Sequence, residues 1–147
     1  MLHAITCRRL ETTDLDAISR VHWRACSIAY RFMHWAYTEP QVRQWYAGKI
    51  AEWDWGLVGC APTGIAGFVA SIGNHVDQLF VDPDFQGQGL GARLLTAALQ
   101  RIPGRATLHV FEGNAPARAM YERLGFRAAG SWLNEQEQAI ELLYVRE

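Results

Sequence analysis

The chain of 147 residues predicts an α/β (α+β) fold, a mixed and mostly antiparallel sheet of six to seven strands with about four helices on both faces. Three observations predict it. Two helical segments follow a short opening strand. Three strand-like runs then succeed one another with only turn residues between them. After those, helix and strand alternate until the chain closes on a strand pair. No internal repeat, low-complexity run or linker divides residues 1–147, so the expectation is a single domain.

Each element has its own signal. LHAITCRRL alternates as a short strand. Thr13 or Asp14 then caps a helix to about Ala29, with Leu15, Ile18, Val21, His22 and Ala25 along one side. In TEPQVRQWYAGKI, Thr38 caps a second helix, Glu39 and Pro40 fill its first turn, and Gly48 lies near its end. Strand-like runs cover about residues 53–60, 64–72 and 75–81, divided by Pro62-Thr63-Gly64 and by Gly73-Asn74. The second division is a hairpin signal. Leu90, Leu94, Ala98 and Ile102 repeat at helical spacing until Pro103-Gly104 stops the helix. RATLHVFE is a strand, and Asn114 caps the short helix APARAMYERL, which Gly125 closes with a left-handed cap. FRAAGSW and AIELLYV finish as paired strands.

Composition narrows the function class. Apolar residues make up 50% and charged residues 20%, with a net charge of −1, so neither nucleic acid nor an anionic membrane is an expected partner. No run approaches the ~18 apolar residues of a membrane span, and MLHAITCRRLE lacks the apolar core of a signal peptide. Cys7, Cys26 and Cys60 are odd in number and widely spaced, which fits reduced packing thiols in a cytoplasmic protein better than a disulfide frame or a metal site.

The chemistry centres on DPDFQGQGLGARLL. One glycine suffices for a turn or a cap; three within five residues strip side chains from a whole surface. Bare backbone between a strand and a helix offers several N–H groups at the positive end of the helix dipole, which favours an anion. A nucleotide triphosphate loop would need Gly-Lys-Ser/Thr, and no lysine is present. Gly87-x-Gly89-x-x-Ala92 formally matches the dinucleotide fingerprint, with Glu112 at the end of the next strand. Against it, residues 82–86 intervene after the strand, and antiparallel strands precede.

Gln86-Gly87-Gln88-Gly89-Leu90-Gly91 resembles the Q/R-x-x-G-x-G/A signature of the GNAT superfamily of acetyl-CoA-dependent N-acyltransferases. NAPARAMYERLGF resembles that superfamily's asparagine…tyrosine segment at the expected distance, and the resemblance follows the order of elements over essentially the whole chain.

The resemblance implies that the pyrophosphate of coenzyme A sits on the backbone of Gln86, Gly87, Gln88, Gly89, Leu90, Gly91 and Ala92. It implies splayed central strands, with the pantetheine arm bonded to backbone along Leu79, Phe80 and Val81, and the amide near Val81 as oxyanion donor. An acetyl group then passes to a primary amine by direct attack in a ternary complex, with Tyr121 as general acid to the leaving thiolate and Asn114 bonding the cofactor arm. Beside these roles stand plain packing of Tyr121 against Leu124 and Phe126, and plain capping by Asn114. His75 and Asp77 match positions where relatives place a base; period-two alternation puts them on one face with Leu79 and Val81.

In relatives the first two helices and their connection close over the acceptor. Here that region is rich in rings: Trp23, Tyr30, Phe32, His34, Trp35, Tyr37, Trp45 and Tyr46. Trp23 and Trp45 read as core, while Tyr30, Trp35 and Tyr37, which lack a clean helical period, read as an aromatic wall around the acceptor. Such a wall suits a small apolar, aromatic or cationic amine. Glu39, Glu135 and Glu137 read as solvated surface, with negative charge at the acceptor site as the alternative for each. An edge strand and exposed aromatic surface fit a homodimer. Transfer to a protein lysine, or a non-catalytic acyl-CoA sensor, are the alternatives.

Overall fold

The structure is a computed structural model that describes residues 4–31 and 35–147. In chain order it contains β1 (Thr6–Arg9), α1 (Leu15–Ala29), α2 (Glu39–Lys49), β2 (Trp55–Ala61), β3 (Gly64–Ile72), β4 (His75–Val81), α3 (Leu90–Arg101), β5 (Ala106–Phe111), α4 (Ala115–Arg123), β6 (Arg127–Asn134) and β7 (Ala139–Arg146). Short 3-10 turns at Thr12–Asp14, Ile50–Glu52 and Pro83–Phe85 precede or follow them. The strands form one seven-stranded sheet in the order β1-β2-β3-β4-β5-β7-β6. Every neighbouring pair is antiparallel except β4 with β5. The expected mixed, mostly antiparallel sheet with four helices is what the chain forms.

Two apolar clusters cover the two faces. On one, α3 lays Leu90, Leu94, Leu95 and Ala98 against Val69, Val76 and Leu108 of the strands, and α4 adds Tyr121. On the other, Ile18 and Val21 of α1 and Val42 and Tyr46 of α2 pack on Val58 and Phe68. Leu94 and Leu95 are fully buried, worth about 1.5–3 kcal/mol each by area removed from water. Thr38 caps α2 as expected, accepting from the Gln41 amide.

The start of α1 departs from expectation. Asp14 occupies the cap position, but its carboxylate turns back to the Glu11 amide at 2.8 Å and to both guanidinium nitrogens of Arg8 at 2.8 and 2.9 Å. A charged partner outcompetes the neutral amides of the first helical turn. The arginine holds the Asp14 carboxyl below its usual range. The three cysteines are free thiols, with Cys26 buried.

Candidate active site

The site begins where the sheet fails to pair. β4 and β5 run parallel, yet only His75–Thr107 and Val76–Leu108 are in register. Beyond those two pairs the strands part like a V, and a cleft of about 1210 Å³ opens between them. The Asp82 amide bonds to Ala66 on β3 at 2.8 Å. Because backbone groups alternate along a strand, Val81 and Leu79 direct their N–H and C=O groups the other way, into the V. The Val81 carbonyl accepts there from the Gln86 side chain at 3.0 Å.

The glycine loop stands at the open end of the V. Gly87 and Gly89 take φ of 77° and 85°, and Gly89 is the N-cap of α3, contributing no side-chain acceptor to the first turn. Gly87 lines the cleft, and a Cβ there would meet no atom within 4 Å beyond its chain neighbours among the described residues. Residues 86–89 are exposed and lead into the positive end of a 12-residue helix, an arrangement that fits a pyrophosphate. Upstream, Arg24 of α1 reaches Asp82 at 3.1 Å and Asp84 at 3.2 Å, tying the first helix to the turn that launches the loop.

Tyr121 lines the cleft from α4, 8% exposed, its ring edge-on to Phe126 and Tyr144. Burial pushes its hydroxyl up to about 12, so it keeps its proton. Asn114 lines the cleft and caps α4, accepting from the Ala117 amide at 3.4 Å. Glu112, on which the dinucleotide reading depends, is exposed and outside the cleft lining.

The shared face predicted for His75, Asp77, Leu79 and Val81 does not form. The β3–β4 register slips by one residue, pairing Ala70 with Gln78 and Ser71 with Val76, so Asp77 is an extra residue. Leu79 and Val81 pack on the α3 side, whereas Asp77 turns to the α1/α2 side and accepts from the Trp53 indole at 2.9 Å. Lys49 lies 3.3 Å from the same carboxylate, so its charge is matched within the chain. His75 stays at the vertex of the V, 2.8 Å from the Thr107 hydroxyl and edge-on to His109. Burial lowers its pKa, as does His109, against the pull of Asp77.

Residues 11–126 match the model of the Acetyltransferase (GNAT) family. The chain belongs to the GNAT acetyltransferase family. Within it, the chain is 44% identical over 64 residues to the peptidyl-lysine N-acetyltransferase YjaB of Salmonella typhimurium, spanning 44% of this chain and 43% of that relative. It is 34% identical over 134 residues to the ribosomal protein bS18-alanine N-acetyltransferase of Escherichia coli, spanning 84% and 82% of the two chains. The crystal structure of the PaiA N-acetyltransferase of Thermoplasma acidophilum with coenzyme A shares the fold, with a TM-score of 0.75 at 17% identity over 97% and 98% of the chains.

Tyr30, Trp35 and Tyr37 all line this cleft. Tyr30 meets Phe111 and Trp35 edge-on, and Trp35 meets Tyr37 at 5.2 Å. Burial pushes the Tyr30 hydroxyl up, while its bond with Asn114 pulls it down. Phe32 and His34 lie outside the described residues. Trp23 is half-buried and packs against the core of the α1/α2 side, donating to the Tyr37 carbonyl at 3.1 Å. Trp45 is not core: it is 49% exposed and lines the cleft, because the buried stripe of α2 runs through Val42 and Tyr46, one residue around the helix. Glu137 is not solvated surface either. It is buried to 8% exposure in the turn between β6 and β7, where its amide bonds to Asn134 and its Oε1 accepts from the Tyr37 hydroxyl at 2.5 Å.

His22 is the residue that sequence reasoning placed on an apolar stripe and left out of the site. It lines the cleft, with its ring 4.2 Å from Phe80 and stacked toward Trp35, and its Nδ1 lies 2.5 Å from the Tyr46 hydroxyl. Burial lowers its pKa from 6.5 to about 3. Between those two values the unfolded chain takes up a proton that the folded chain refuses. The folding stability linked to His22 is therefore complete above pH 6.5 and falls on acidification, by up to about 1.4 kcal/mol per pH unit. Denaturant melts at pH 7 and pH 5 are expected to show about 1–2 kcal/mol more loss in the wild type than in His22→Gln. Equal losses would mean that His22 protonates freely in the folded chain.

Proposed function

We propose that this GNAT chain transfers an acetyl group from acetyl-CoA to a primary amine of a small molecule or an amino terminus. The observation that carries the reading is the V between β4 and β5, with a bare glycine loop at its open end and Tyr121 in its wall. The backbone N–H groups of residues 86–92 would hold the pyrophosphate, and the inward-facing backbone of Leu79 and Val81 would hold the arm, with Phe80 as wall. Bound there, acetyl-CoA supplies an activated acetyl thioester.

The chain's own residues do the rest. The Val81 N–H polarises the thioester carbonyl from a fixed position. The Tyr121 hydroxyl donates to the leaving sulfur. With its pKa near 12 against about 8.5 for a thiol, complete transfer of the proton is uphill by about 5 kcal/mol, so Tyr121 acts as a strong hydrogen-bond donor while charge builds on sulfur. His75 accepts the amine proton at the ring nitrogen not turned to Thr107, being kept neutral by burial. Asp77, matched by Lys49, positions rather than attracts. Relatives named for lysine and alanine acceptors support an amine as the second substrate.

A panel of amines assayed by release of free coenzyme A thiol tests transfer, and thermal melting tests the cofactor. Acetyl-CoA at 100 times its Kd is expected to add about 2.7 kcal/mol, a rise of about 5–10 °C. A rise with NADH and none with acetyl-CoA overturns the reading.

A further inference from the structure

The turn that launches the glycine loop carries two acids. Asp82 builds that turn: its carbonyl accepts from the Phe85 amide at 2.8 Å, and its Oδ1 accepts from the Asp84 amide at 2.9 Å. The result is a negative charge at the start of a loop suited to an anion, and Asp84 adds a second. Three peptide units separate Asp84 from Gly87, at most about 11 Å between Cα atoms. At that range repulsion of a pyrophosphate is only partly screened at low salt.

The opposing charge comes from another element. Arg24 of α1 reaches both acids, its Nε 3.1 Å from Asp82 and its Nη2 3.2 Å from Asp84. That Nε is buried and makes no hydrogen bond among the described residues, so charge attraction is what offsets the cost of burying it. The three side chains sum to one negative charge with Arg24 and to two without it.

Resting on the acetyltransferase reading, we propose that Arg24 is a positioning residue for coenzyme A, acting by cancelling one of the two negative charges beside its phosphates. A plain tether between α1 and the turn has a different consequence. Cutting a tether at either end loosens the loop, so loss of the Asp84 carboxylate would weaken binding. Under the charge role the same loss strengthens it. The two roles differ in the sign of one substitution.

The test is calorimetric titration of coenzyme A into wild type, Arg24→Gln, Asp84→Asn and the double variant, at about 20 mM and about 500 mM NaCl. At low salt Arg24→Gln is expected to bind about tenfold more weakly than wild type, and Asp84→Asn about threefold more tightly. The double variant restores the wild-type charge and is expected within about twofold of wild type. At high salt the Arg24→Gln penalty should shrink to about twofold. An Asp84→Asn protein that binds no more tightly than wild type, or a double variant as weak as Arg24→Gln, overturns the proposal. Should Arg24→Gln fail to fold, Asp84→Asn decides alone, because that side chain is 74% exposed and the turn uses its backbone amide. A wild type that binds no coenzyme A sinks this proposal and the acetyltransferase reading together. Binding in the wrong order sinks this one alone.

Discussion

Tyr121→Phe is expected to lower kcat by about 10²- to 10³-fold while leaving the Kd for acetyl-CoA within about twofold. The substitution is clean because the ring, not the hydroxyl, does the packing: Tyr121 sits edge-on to Phe126 and Tyr144 in a cluster a phenylalanine fills equally well. What disappears is one donor facing the cleft. Equal loss of kcat and kcat/KM would mark an interaction made only as the sulfur departs. Burial holds the Tyr121 hydroxyl near 12, so the wild-type rate should show no alkaline fall from this group below about pH 11. A fall near pH 9–10 that vanishes in the variant would assign Tyr121 a different role. An unchanged kcat reduces it to a wall, whereas the absence of any turnover in the wild type would favour the non-catalytic sensor.

The elements legible in the sequence were those set by local chemistry. Glycines at 73, 87, 89 and 125 take the positive φ their turns and caps demand, and Thr38 takes up its cap. The stripe of α3 at every fourth residue, Leu90, Leu94, Ala98 and on to Ile102, is buried as its spacing predicts. What stayed hidden depends on pairing at a distance. The slip that adds Asp77 to β4 is a property of the β3–β4 register, and no residue within β4 announces it. It separates Asp77 from Leu79 and Val81, and the expected single catalytic face with it. Trp45 and Tyr46 are neighbours in sequence, and choosing which is buried requires knowing where α1 lies. Glu137 reads in the sequence as surface first and as acceptor-site charge only as the alternative, because the partner that engages it, Tyr37, lies 100 residues away in the chain. His22 carried a partial signal, since a titratable ring on an otherwise apolar helical stripe is either core or site; here it is both.

Gly87→Ala is expected to weaken acetyl-CoA binding by about 10- to 100-fold, the worth of one or two hydrogen bonds to a charged group. Taken alone, the result would be ambiguous, because an alanine at φ 77° also strains the backbone by roughly 1–2 kcal/mol. Gly104 removes the ambiguity. It has φ of 84°, an added Cβ there meets nothing within 4 Å, and it lies beyond the end of α3, outside the cleft lining. The two alanines therefore carry the same strain into equally open space, and their melting temperatures should fall by a similar amount, about 2–8 °C. They differ in what the space is for. At Gly104 the methyl group points to solvent and acetyl-CoA binding should match the wild type. At Gly87 it stands beside the backbone proposed to hold the phosphates. If both variants lose affinity together, the loss is strain transmitted through α3 and the glycine loop is only a turn. If Gly87→Ala alone loses it, the bare backbone of residues 86–92 is the cradle.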